Sequence, residues 1–195
     1  MRVDRLIWVL AVGVAVGACG GDDEAATSDV AVDSAAPAAA PAAEGPTDPQ
    51  IAAIVVAANN VDIAAGELAK EKGTNAEVKA FAQQMITDHT AVNQQATDLV
   101  TKLGVTPEEN PTSQQLTQGG QAARDRLSAL SGAEFDRAYI DNEVTYHQTV
   151  LDAIDQTLIP SSENAELKTL LEGVRPAVAA HLEHARQIQT RLAAP

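Results

Sequence analysis

Four ionisable residues stand where helical periodicity asks for apolar ones. Asp62 shares a face with Ala58, Val61, Ala65 and Ala69, and His89 continues the series Phe81, Ala82, Met85, Val92 and Ala96. His147 lies among Ile140, Val144, Leu151 and Ile154, and His181 among Val174, Val178 and Leu182. Imidazole nitrogen combined with carboxylate oxygen suits zinc, iron or copper. Glu143 is four residues before His147, and His184 three after His181, so either could share its neighbour's helix face and join a ligand set.

Two plainer readings compete with a metal site. The histidines can be neutral core residues, each satisfied by a carbonyl, a Tyr hydroxyl or a carboxylate, with Asp62 paired to one of them. Alternatively the helical phase is off by one residue and some of the four face solvent. A buried Asp without a partner costs several kcal/mol or shifts its pKa strongly, so Asp62 needs one on any reading in which it is buried. Di-iron chemistry is disfavoured, because such bundles use Glu-x-x-His units and the chain has none. Counted from a turn at 159–163, His147 and His181 also stand about six residues out of level, or about 9 Å. One ion reaches all four side chains only if Pro176 or a register shift closes that gap.

Long helices must position these residues. Apolar residues at 51, 54, 55, 58, 61, 65, 68 and 69 mark one helical face, opened by Asp48-Pro49 and ended by Gly73. Thr74 and Glu77 read as a capping box for a second helix that stops at Gly104. Residues 105–112 form a loop, followed by a weaker helix from about Ser113 to Leu130, interrupted at Gly119-Gly120. Ser131 and Glu134 read as a further capping box, and Ile159 to Ser162 as a turn. The last helix carries Leu167 through Leu192, with Pro176 expected to kink or divide it. This is an all-α chain: four long helices joined as a four-helix bundle, with an additional short helix in the long central connection.

The N-terminus is of another kind. A net positive head is followed by an apolar run from Leu6 to Val16 and by Gly17-Ala18, the pattern of a secretory signal over residues 1–18. Val16-Gly17-Ala18-Cys19 resembles a bacterial lipobox, which implies lipidation of Cys19, the only cysteine. Residues 19–48 are built of Ala, Pro, small polar residues and seven acids, and read as a disordered tether between anchor and bundle. Gly20 in place of Asp implies passage to the outer membrane where the host has one. The bundle segment, 49–195, holds 19 acids against 11 Lys and Arg, a net −8, and no basic cluster. Nucleic acid is therefore excluded as a partner, and the expected membrane contact is the lipid anchor, on the periplasmic side. No Gly-rich phosphate loop or Gly-x-Ser-x-Gly elbow is present, so no enzyme chemistry is indicated.

Several stretches together resemble one family: Asp62 to Ala69; Val78 to Ala82 with Met85 and Asp88-His89; Gly132 to Tyr139 with His147; and His181-Leu182 with Ala185. They resemble the DUF4142 family over about residues 49–192. The resemblance implies an exported, often lipid-anchored bacterial protein with a ferritin-like bundle. It also implies that Asp62 (more often Glu in the family), His89, His147 and His181 hold the family's characteristic polar positions, whereas Glu143 departs from an expected apolar residue. Two functions stand side by side. One is a non-enzymatic envelope lipoprotein with a structural, interaction or stress-related role. The other is a metal-binding or metal-dependent bundle built on Asp62, His89, His147 and His181.

Overall fold

The computed structural model describes residues 45–194. The expected signal segment and Cys19 lie outside the described residues, as does all but the end of the expected tether. Helix α1 spans Asp48–Lys72, α2 Ala76–Leu103, α3 Pro111–Ser128 and α4 Gly132–Ala153. The chain continues from α4 through a π-helical turn, Ile154–Leu158, and a single helical turn, α5 (Ile159–Ser161), before α6 (Ala165–Ala193). No strand occurs among the described residues.

Helix directions follow from the contacts at their ends. The tight 73–75 joint turns α2 back along α1. Asn110 Nδ2 donates to the Gln50 carbonyl (3.1 Å), Gly120 abuts Val61, and Lys72 reaches the Ser128 carbonyl, so α3 runs parallel to α1 along its length. α4 descends again and α6 returns, ending where Arg191 pairs with Glu77 at the start of α2. The long helices α1, α2, α4 and α6 thus form a bundle with one long crossover, the connection seen in ferritin-like folds, and α3 is that crossover. Covered by α2, α3 and α4 together, α1 can be apolar almost all round, which explains why its composition alone would suit a membrane span.

Two acids lock the ends of the bundle. Asp136, buried in the first turns of α4, accepts from the backbone N–H of Thr74 (3.0 Å) and Asn75 (2.9 Å) and from the Thr74 hydroxyl (2.6 Å). At the opposite end Asp48 accepts from the N–H of Glu163 (3.0 Å) and Asn164 (2.8 Å). Each clamp fixes the level of one helix against another, and therefore of the residues further along it.

Some local expectations change. Thr47, not Asp48, caps α1, which frees Asp48 for its clamp. Asn75 caps α2 by accepting from Glu77 and Val78, while Thr74 is engaged by Asp136. Ser131 occupies the N-cap of α4 without a side-chain cap bond. α3 runs unbroken through Gly119-Gly120, because Gly120 lets it lie directly on Val61, where an added Cβ would come within 2.6 Å. α6 is not divided at Pro176; the proline is exposed, where water can serve the carbonyl it leaves unpaired.

Candidate metal centre

The four polar side chains meet at mid-height of the bundle, one from each long helix. Asp62, His147 and His181 are buried almost completely, and His89 is 7% exposed. His89 Nε2 lies 2.9 Å and His147 Nε2 3.2 Å from the same oxygen, Asp62 Oδ2. The imidazole centroids are 5.4 to 5.7 Å apart in every pairing of His89, His147 and His181. Each of the three brings one ring nitrogen within 4.8 Å of the others.

The expected mismatch in level between His147 and His181 is corrected by where the chain turns. The helical path of α4 continues to Ser161 and α6 begins at Ala165. His147 is then 14 residues before the turn and His181 16 after it, a difference of about 3 Å rather than 9. The helical path runs past the expected turn because Pro160 sits in the first turn of a new helical segment, where no N–H is missed.

Hydrogen bonds fix the far side of each imidazole. His89 Nδ1 is 2.7 Å from Asn59 Oδ1, whose amide is oriented by donation to the Val55 carbonyl (2.9 Å). His147 Nδ1 is 3.0 Å from the Glu143 carbonyl, and His181 Nε2 is 2.9 Å from Asp88 Oδ2. All three partners are acceptors, so these nitrogens carry the protons. The opposite nitrogens are His89 Nε2, His147 Nε2 and His181 Nδ1. Those three atoms, both Asp62 oxygens and Glu143 Oε2 make no hydrogen bond within the protein despite their burial.

Electrostatics separate the two central acids. Burial works to raise the Asp62 carboxyl, but the neighbouring His89 and His147 outweigh it and hold it below the usual carboxylate range. Glu143 is pushed well above its ordinary value, first by burial and then by the Asp62 charge. Burial lowers His147 against the pull of Asp62, and lowers His181 against the pull of Asp88. Burial, then the two acids, pushes Tyr139 and Tyr146 well up, so both remain neutral. Tyr146 donates to the Ala58 carbonyl (2.8 Å), tying α4 to α1 one turn before Asp62.

Asp62, His89, His147 and His181 converge, and Glu143 stands beside them, with Oε2 3.5 Å from His147 Nδ1. His184 does not join; its ring packs edge-on against Phe81, centroids 5.3 Å apart. Asn59 and Asp88, which orient two of the rings, were not foreseen from the sequence. Asn59 was detectable in principle, since it lies three residues before Asp62 on the same face. Such outer partners set the tautomer of a metal-ligating histidine.

The family described as "Domain of unknown function (DUF4142)" matches residues 33–188. This chain belongs to the DUF4142 family. No curated protein and no solved structure matches it. The match takes in every element from α1 to most of α6, and with them all four converging residues. Within this DUF4142 domain, the buried His and Asp groups could hold a metal ion.

Proposed function

We propose that this DUF4142 protein is a metal-binding helical bundle held in the bacterial cell envelope by a lipid on Cys19. One observation carries the metal reading: each of three buried imidazoles has its far nitrogen committed to an acceptor while its other nitrogen makes no hydrogen bond, two of these lying 2.9 and 3.2 Å from Asp62 Oδ2. A polar cluster serving structure alone would close those gaps with hydrogen bonds, since each buried unsatisfied group costs about 1–3 kcal/mol. A cation held among the three imidazoles, beside Asp62, would take up these unsatisfied nitrogens. Two donors about 2.0–2.1 Å from a tetrahedral zinc stand about 3.3 Å apart, near the 2.9 and 3.2 Å separating Asp62 Oδ2 from two imidazoles. Three imidazoles with one carboxylate suit zinc, iron or copper, and the four-donor set suits zinc best.

The test is metal content of fragment 41–195 purified without chelators. About one metal ion per chain is expected, lost in His89→Ala and in His147→Ala. Absence of bound metal, with no thermal shift on adding Zn²⁺, Fe²⁺ or Cu²⁺, would leave a tethered bundle acting through contacts with other envelope components. The anchor is supported by the apolar run before Val16-Gly17-Ala18-Cys19. Palmitate labelling of the full chain, abolished by Cys19→Ala and accompanied by loss from the outer-membrane fraction, is its expected signature.

A further inference from the structure

Helices α3 and α4 both lie against α1 and touch one another only lightly, which leaves a groove between them. Gly120 of α3 abuts Val61, and Tyr146 of α4 donates to the Ala58 carbonyl, so α1 is the floor. The cavity in this groove has a volume of about 540 Å³. Its floor is apolar where Ile54, Val55, Ala58 and Val61 line it. Its rims are polar. Thr112, Gln115 and Arg126 are exposed along the α3 side, and Thr145 and Thr149, with the half-buried Asn142, along the α4 side. The 142, 145, 149 spacing sets the α4 side chains in one row.

An apolar floor between two hydrogen-bonding rims fits an extended peptide. Small side chains face the floor, while backbone N–H and C=O groups that lose water find partners at the rims. The rims supply both kinds of partner. Thr145 and Thr149 donate to carbonyls of their own helix (3.0 and 2.9 Å), which leaves their hydroxyl oxygens as acceptors. The side-chain amides of Gln115 and Asn142 offer a donor and an acceptor each.

The chain itself enters this groove. Pro46 is part of the lining, and Gly45 lies so close against Ser161 that no Cβ would fit. The residues before Gly45 therefore start from the end of the groove at the head of α1. Ten of them, 34–43, are seven Ala, two Pro and one Ser, without charge, between Asp33 and Glu44. Four acids, Asp22, Asp23, Glu24 and Asp29, crowd the stretch 20–32 instead. The family match begins at residue 33, so the uncharged run goes with the bundle and the acid-rich stretch does not.

Length and charge agree with a peptide laid along the groove. Gly120 stands at Val61 and Ser128 at Lys72, which puts Arg126 level with about Leu68. That is twenty residues along α1 from Asp48, or about 30 Å. Ten residues of polyproline II backbone, at about 3.1 Å each, cover the same distance. Asp33 is then the acid that falls nearest Arg126, the one Lys or Arg in the lining among the described residues. Alanine and proline favour that backbone before docking, and attachment at Gly45 gives the segment a high effective concentration.

We propose that residues 33–44 dock in extended form in the groove between α3 and α4, running from Gly45 past the level of the histidines to Asp33 at Arg126. The tether is then free only from about residue 32 outward, and its inner part covers the mouth above Asp62 and His147. This holds with or without a bound metal.

Disulfide trapping in the full chain, carrying Cys19→Ser and held in mild detergent, tests the placement. Ala39→Cys, about six residues up the groove, is paired with Thr149→Cys on the rim or with Ala180→Cys, exposed near the same level on α6 but outside the lining. Under mild oxidation the 39–149 pair is expected to close at least about tenfold faster than 39–180, and Arg126→Glu to lower that ratio about threefold. Hydrogen exchange in the full chain without introduced cysteines gives a second readout. Amides within 34–43 should exchange at least about tenfold more slowly than a synthetic 33–44 peptide, and those within 20–32 at peptide rates. Equal closure of the two pairs, a ratio indifferent to Arg126→Glu, or peptide-like exchange across 34–43 overturns the proposal. Bonds formed between chains instead of within one put a second copy on the groove and overturn it equally.

Discussion

On one side of the histidines, toward the 73–75 joint, Phe81, Met85, Phe135, Tyr139, Ile140 and Ile188 are all fully buried around the bundle axis. Phe135 and Tyr139 stack in parallel, and Phe81 meets Tyr139 edge-on. On the other side Ile51, Ile54, Ile154, Leu158, Leu171 and Val178 form a second cluster, purely aliphatic, beside a cavity of about 540 Å³. One half is filled by large rings, the other is lined by small branched chains. The polar centre sits where the two meet, backed by a rigid floor and open toward a space. A ligand site needs both, since donors must be held in place by packed neighbours and still be reachable.

The largest effects should come from breaking the dense half. Phe81→Ala is expected to cost about 3–5 kcal/mol in urea unfolding, because the surrounding rings cannot collapse into the void. Leu116→Ala, on the cavity wall, should cost about 1–2 kcal/mol, since it enlarges a space that already exists. Equal losses at the two positions would end the distinction between the halves.

Next in size is the clamp at the dense end. Asp136→Ala leaves the Thr74 and Asn75 donors without their acceptor and should cost about 2–3 kcal/mol. It should also weaken zinc binding, because the level of His147 is set from that end. An unchanged zinc affinity would show that the centre is positioned by local packing instead.

Filling should then change sign between the halves. Ala82→Leu, at a fully buried position in the dense half, is expected to destabilise by about 1–3 kcal/mol through overpacking. Ala123→Leu, facing the cavity from α3, should be neutral or stabilising by up to about 1 kcal/mol. Thermal denaturation of the two variants decides the matter by sign alone.

The finest test is a slope. The folded-state pKa of Glu143 lies well above its ordinary 4.5, so its contribution to stability is fully present below that value and is lost as pH rises toward the folded pKa. Glu143→Gln removes this dependence. In the metal-free fragment the variant's melting temperature should therefore gain on the parent's as pH increases from 4.5 toward neutrality. The depressed His147 and His181 act in the opposite direction, but equally in both proteins. A gap that stays constant with pH would mean that Glu143 is ionised in the folded state.

Much of this was legible without coordinates. Helical faces, the caps at Gly73 and Gly104 and the inward placement of Asp62, His89, His147 and His181 follow from a 3.6-residue period, a local property that each segment states about itself. The amino-acid sequence by itself determined that the chain is all-helical, that each long helix carries at least one ionisable group inward, and that a single thiol leaves no disulfide within the chain. Only the tertiary structure decided that those four groups lie at one level. That depends on where α4 ends, on the π turn, and on clamps such as Asp48 to residues 163 and 164, and a small change in any of these would move a ring by several ångström. The roles of Asn59 and Asp88, and the cavity itself, arise from how α1, α3 and α4 diverge. They are properties of spaces between helices, to which no one helix's periodicity refers.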